Sequence, residues 1–199
     1  MVRPVDWLRR AGLVTLTPVP GLESIVAFVA GKNAPAKWWS HPKGSEIYNL
    51  FRALASHPSV LSMKLVEGKV TLVHQRLWPA LLCLAEDPKW RSRQKKKVSP
   101  SARALLRMVE RRGSIRLDFL VPEWPGGHAQ LKKDRTALER SGLVVSHDEH
   151  TESGTHQAVI KSWAELRKCK GIHAPLDMDR EEAQQTLREF TKGRKYTLQ

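Results

Sequence analysis

Between His147 and His156 the sequence reads HDEHTESGTH, three imidazoles and three carboxylates in ten residues. Side chains of these types can hold a divalent metal or pass protons, and either chemistry requires them to converge. Zinc takes three or four ligands at about 2 Å. The flanks, LVVS before and QAVIKSW after, predict two strands joined at Ser153-Gly154. A tight turn there sets Thr151 opposite His156. His147, Glu149 and Thr151 then share a face with His156, Ala158 and Ile160, while Asp148, His150 and Glu152 share the other with Thr155 and Gln157. The polar groups are thus divided, at most His147, Glu149 and His156 stand together, and no metal is expected. The polar tip of a hairpin accounts for the same residues.

Other reactive groups are sparse. In HQRLW, His74 and Gln75 fall at a strand end, where an acid or base could work, but no carboxylate is adjacent in sequence. With His150 and His156 they complete the weak catalytic candidates. The chain has no GxSxG, P-loop, HExxH or dinucleotide fingerprint, so no cofactor is expected. In KWWSHPKG, Trp38, Trp39, His41 and Lys43 form an aromatic platform beside a cation, a combination able to stack an unpaired base.

The charge balance is the broadest signal. Lys and Arg total 34 against 20 Asp and Glu, a formal net charge of +14. Such a surface attracts polyanions, with nucleic acid, and DNA first, as the leading partner class. Two stretches concentrate the cations. DPKWRSRQKKKVSPS carries Lys89, Arg91, Arg93, Lys95, Lys96 and Lys97 and reads as a basic linker. A helix over 128–141 buries Leu131 and Leu138, turning Lys133, Thr136 and Arg140 outward with Lys132 and Arg135 flanking. Phosphates are the expected targets, since most protein–DNA hydrogen bonds go to the backbone. Asp148, Glu149 and Glu152 would repel phosphates, so the hairpin tip instead suits a protein partner, the adaptor alternative.

Cys83 and Cys169 make no CxxC pair, which points away from a disulfide framework and toward a reducing cytoplasm. Arg9-Arg10 precedes an apolar run, but Pro18, Pro20 and Glu23 interrupt it. No export signal or membrane span is therefore expected, and the expected location is cytoplasmic.

Periodicity and punctuation predict the elements that must position these groups. Short helices end at Gly12 and Gly31, and a longer one places Ile47, Leu50, Phe51 and Leu54 at helical spacing and stops by Pro58. A hairpin over 60–74 turns at Glu67-Gly68, and a helix follows with Pro79 in its first turn. Beyond the basic run, the order is a capped helix from Ser99, a short extended piece, a short second helix, the 128–141 helix closed by Gly142, and the hairpin. This is the winged helix-turn-helix plan. A last helix has Asp179 and Glu182 at capping-box spacing. The expected class is α+β, mainly helical with short β-hairpins. The expected division is 1–88 (with the 60–74 hairpin), a basic linker 89–98, a winged-helix domain 99–165 and a tail helix 166–199.

KWWSHPKGSEIYNLFRALASHPSVLSMKLVEGKVTLVHQRLWPAL, SPSARALL and HTESGTHQAVIKSW together resemble the small bacterial AlkZ-related proteins, over about residues 20–165. These are similar to the winged-helix DNA glycosylases of the AlkZ (YcaQ-like) family. The resemblance implies DNA binding in a repair setting. The glycosylases use a Gln-x-Gln or Gln-x-Asp pair to position water, and this chain has none: His74-Gln75-Arg76 lacks the second group, and Gln184-Gln185 falls in the tail helix. The expected function is therefore a DNA-binding protein, with a reduced glycosylase, a hydrolase of N-glycosidic bonds acting on alkylated bases, as the enzymatic alternative.

Overall fold

The computed structural model describes residues 3–32, 37–150, 156–172 and 177–199. The chain is mixed α+β, mainly helical, with two three-stranded antiparallel sheets. It divides into two compact units, one built from residues 1–81 with 178–197 and 199, the other from 82–177 with 198.

The first unit contains α1 (Pro4–Ala11), β1 (Leu13–Thr15), α2 (Ile25–Ala30), α3 (Gly44–Ala55), β2 (Val60–Lys64) and β3 (Val70–His74). The unit boundary falls inside α4 (Trp78–Glu86). The predicted 60–74 hairpin is present, with Lys64 opposite Val70. Glu67 and Gly68 both take positive φ, 49° and 71°, as a tight hairpin turn with right-handed strand twist demands. Strand β1 was not foreseen in the apolar run after Gly12; it pairs with β3, giving the order β1-β3-β2. Trp7, Leu8, Ile25, Trp38, Ile47 and Leu72 belong to the core.

The second unit holds α5 (Pro88–Lys97), α6 (Pro100–Arg112), β4 (Ser114–Arg116), α7 (Gly127–Arg140), β5 (Val145–His150), β6 (His156–Lys161) and α8 (Trp163–Cys169). Helix α6 starts where its sequence says it should: Ser99 Oγ accepts the Ala102 amide at 3.0 Å and Pro100 occupies the first turn. Leu105, Leu106 and Val109 face Leu131, Leu138, Leu143 and Ile160 in one apolar cluster. Between β4 and α7 the expected short second helix consists of two 3-10 turns, Leu117–Phe119 and Val121–Glu123. Helix α7 ends at Gly142, φ 64°, with the Leu143 amide returning to the Leu138 carbonyl at 3.0 Å. Trp163, unpredicted as an anchor, donates its indole N–H to the Gly142 carbonyl at 2.7 Å and starts α8 against that turn.

Three boundaries differ from the sequence reading. The basic run 89–98 is no linker: residues 88–97 form α5, capped by Asp87, whose carboxylate accepts the Trp90 amide at 2.7 Å. Trp90, 1% exposed, supplies the burial that a solvated connector would lack. The N-terminal unit ends near Leu81 rather than at 88. The 166–199 segment is not one tail, because 166–169 complete α8 and α9 (Arg180–Phe190) belongs to the first unit. There the Thr197 amide reaches the Leu65 carbonyl at 2.9 Å, and the Glu67 amide the Lys195 carbonyl at 3.0 Å.

Candidate nucleic-acid interface

Helix α7 carries KKDRTALER, four cations and two carboxylates, and the fold sorts them by sign. Asp134 is 2% exposed and Glu139 is 5% exposed, while Lys132, Lys133 and Arg140 stand in solvent. A buried carboxylate must be fully hydrogen-bonded to be tolerated. Asp134 accepts from Ser101 Oγ at 2.7 and 2.8 Å, Ser99 Oγ at 3.2 Å, Gln130 Nε2 at 3.0 Å and Trp124 Nε1 at 3.1 Å. It thereby ties α7 to the first turn of α6. Glu139 accepts from Ser146 Oγ and lies 3.4 Å from Arg135 Nε. Arg135 is therefore a partner of an internal carboxylate, with its side chain 20% exposed. Thr136 is half-buried and donates its hydroxyl to the Lys132 carbonyl at 2.8 Å. Of the five α7 candidates, the structure leaves Lys132, Lys133 and Arg140 outward and without an ion pair among the described residues.

Helix α5 adds a second basic surface against α6. Glu110 of α6 is gripped by Arg91 Nη2 at 2.7 Å and Lys95 Nζ at 3.0 Å. Burial pushes the Glu110 carboxyl up, but hydrogen bonds from Lys95 and Arg91 and their charges outweigh it and hold it below the ordinary range. Arg103 closes the end of α5, donating to the Val98 carbonyl at 2.6 Å. Arg91, Ser92, Lys95, Lys96 and Arg103 line an open groove of about 720 Å³, with Glu86 and Pro88. Lys89, Arg93, Lys96 and Lys97 are exposed, as are Arg107, Arg111 and Arg112 of α6. The last three escaped the sequence reading, although the period that buries Leu105, Leu106 and Val109 also turns them outward.

The opening histidine–carboxylate cluster is reorganised by register. His150 pairs with His156, Glu149 with Gln157, Asp148 with Ala158 and His147 with Val159. The expected pairing of Thr151 with His156 is thus off by one residue. A slip of one exchanges the faces: His156 aligns with His150 and Asp148, not with His147 and Glu149. The expected turn at Ser153-Gly154, with Thr151, Glu152 and Thr155, lies outside the described residues. Among the described residues no group of three His, Cys, Asp or Glu is placed to hold a metal.

The remaining candidates lie in the first unit. His74 is buried, its Nδ1 accepting the Arg76 amide at 3.3 Å, and Gln75 is exposed beside it. Burial, then the charges of Arg76, Arg9 and His57, lower the His74 pKa and favour neutral imidazole. Trp38 is a core residue, Trp39 is exposed, and Lys43 Nζ donates to the Val29 carbonyl at 3.1 Å. Neither Cys83 nor Cys169 is in a disulfide. No helix among the described residues is long and apolar enough to cross a membrane.

Comparison with family models, curated proteins and solved structures gives no match to this chain.

Proposed function

We propose that residues 99–161 are a winged helix-turn-helix that binds double-stranded DNA, mainly through its phosphates. The observation that carries this reading is the sorting of charge on α7. Both carboxylates are spent on internal bonds, so the helix presents Lys132, Lys133 and Arg140 to solvent with no exposed acid among its residues. The element order supports it: helix, strand, two tight turns, helix, then two strands, with β4 closing the sheet in the order β4-β6-β5. In this plan α7 is the helix offered to the groove. The basic surface of α5 and α6 adds phosphate contacts and long-range attraction.

Fluorescence anisotropy of a labelled duplex with the intact protein tests the proposal. Affinity should fall steeply between about 50 and 200 mM salt, with a log–log slope of roughly −0.9 per neutralised phosphate. Replacing Lys132, Lys133 and Arg140 together with Gln should flatten that slope. Absence of binding at low salt, or binding indifferent to salt, would overturn the assignment.

A further inference from the structure

We propose that the first unit carries a separate stacking site for unpaired bases of a single-stranded nucleic acid, centred on Trp39 and continued by Tyr48 and Arg52 of α3. Trp38, 3% exposed, is fixed in the core of this unit. The Trp39 ring lies on it with centroids 3.8 Å apart and planes 26° from parallel, yet Trp39 itself is 72% exposed. A large aromatic ring is thus held in place from one side and offered to solvent on the other. An immobilised exposed ring loses little further freedom when a flat ligand lies on it.

The ring does not stand alone. Tyr48 is 5.9 Å from Trp39 at a tilt of 45°, and the Arg52 guanidinium stands over the Tyr48 ring at 5.7 Å. Ser45 and Asn49, both exposed, share the helical stripe of Tyr48 and Arg52 at spacings of three and four. The patch therefore combines π faces, a planar cation and neutral hydrogen-bonding groups, the set by which single strands are held without sequence readout. Its charge has the matching sign: residues 37–55 contain Lys37, Lys43 and Arg52 against Glu46 alone. A duplex offers no accessible base faces along its length, so unpaired strand is the form that fits.

The inference shares the ligand class of the duplex proposal but concerns different residues, and the test separates the two. The intact protein is titrated against a labelled oligothymidylate of about 16 nucleotides and, in parallel, a duplex of the same length. Trp39→Ala should weaken oligothymidylate binding about 5- to 150-fold, with an unchanged circular dichroism spectrum and unchanged duplex binding. Trp39→Phe should retain most of the affinity, and the Gln variants of Lys132, Lys133 and Arg140 should retain oligothymidylate binding while losing duplex. Failure to bind oligothymidylate while the duplex is bound overturns this inference and leaves the duplex reading standing. Wild-type oligothymidylate affinity in Trp39→Ala overturns it too. If that variant instead changes the protein's elution volume on size exclusion, the surface belongs to a second copy of the chain.

Discussion

Ser101 Oγ donates to the Asp134 carboxylate at 2.7 Å, joining the first turn of α6 to the middle of α7. Asp134 is buried and accepts from four side chains, two of them at the start of α6, so the bond fixes how α7 sits on its neighbour. Leaving those donors without an acceptor is costly. Asp134→Ala should lower stability by about 3 kcal/mol in urea unfolding. Asp134→Asn, which keeps one acceptor oxygen, should lower it less. Duplex affinity measured below the unfolding range should fall in Asp134→Ala even though no cation has been removed.

Neighbouring cations of α7 should respond differently to the same change. Lys133→Gln should leave the unfolding midpoint in place and reduce the salt slope of duplex binding by roughly 0.9. Arg135→Gln should cost about 2 kcal/mol of stability, because buried Glu139 would lose its ion pair with Arg135. Its effect on the salt slope should be small. Parallel urea unfolding and anisotropy on the two variants check the contrast.

Glu110 pairs with both Arg91 and Lys95 beside the α5 groove and offsets one of their two charges. Glu110→Gln should tighten duplex binding a few-fold at low salt and make its salt dependence steeper. The pair groups are partly exposed, so the loss of stability should stay within about 1 kcal/mol. Because the carboxyl is held below its ordinary range, the wild-type pair persists throughout near-neutral pH. The difference between the two proteins should therefore not vary there.

His74 makes stability depend on pH with a definite sign. Its folded pKa is lowered by burial and by Arg76, Arg9 and His57, so the unfolded chain binds the proton more readily. Stability is fully present above the ordinary histidine range and declines as pH falls through that range toward the lowered folded value. His74→Gln should remove this part of the acid sensitivity while keeping an acceptor near the Arg76 amide. Urea midpoints compared between near-neutral and mildly acidic pH read the difference.

Local chemistry made several elements legible in the sequence. Ser99-Pro100 and Gly142 mark the ends of helices because capping and left-handed termination depend on one or two residues. Glu67-Gly68 marks a hairpin for the same reason. The outward placement of Lys132, Lys133 and Arg140 follows from the period that buries Leu131 and Leu138. What the sequence determined by itself was therefore the α+β class, most helix ends and the basic character of two segments.

Long-range pairing decided the rest. Six cations in nine positions read as a linker until Trp90 is seen buried and Glu110 is seen binding Arg91 and Lys95. Asp134 and Glu139 look like ordinary surface acids of a charged helix; for Asp134 it is Ser99 and Ser101, on a different helix, that supply donors no local pattern announces. The register of β5 on β6 depends on loop length, and one residue was enough to realign His156 with His150. Charge is a property of composition, but which charges face solvent is settled by tertiary burial. A carboxylate enters the interior only where the fold supplies its donors.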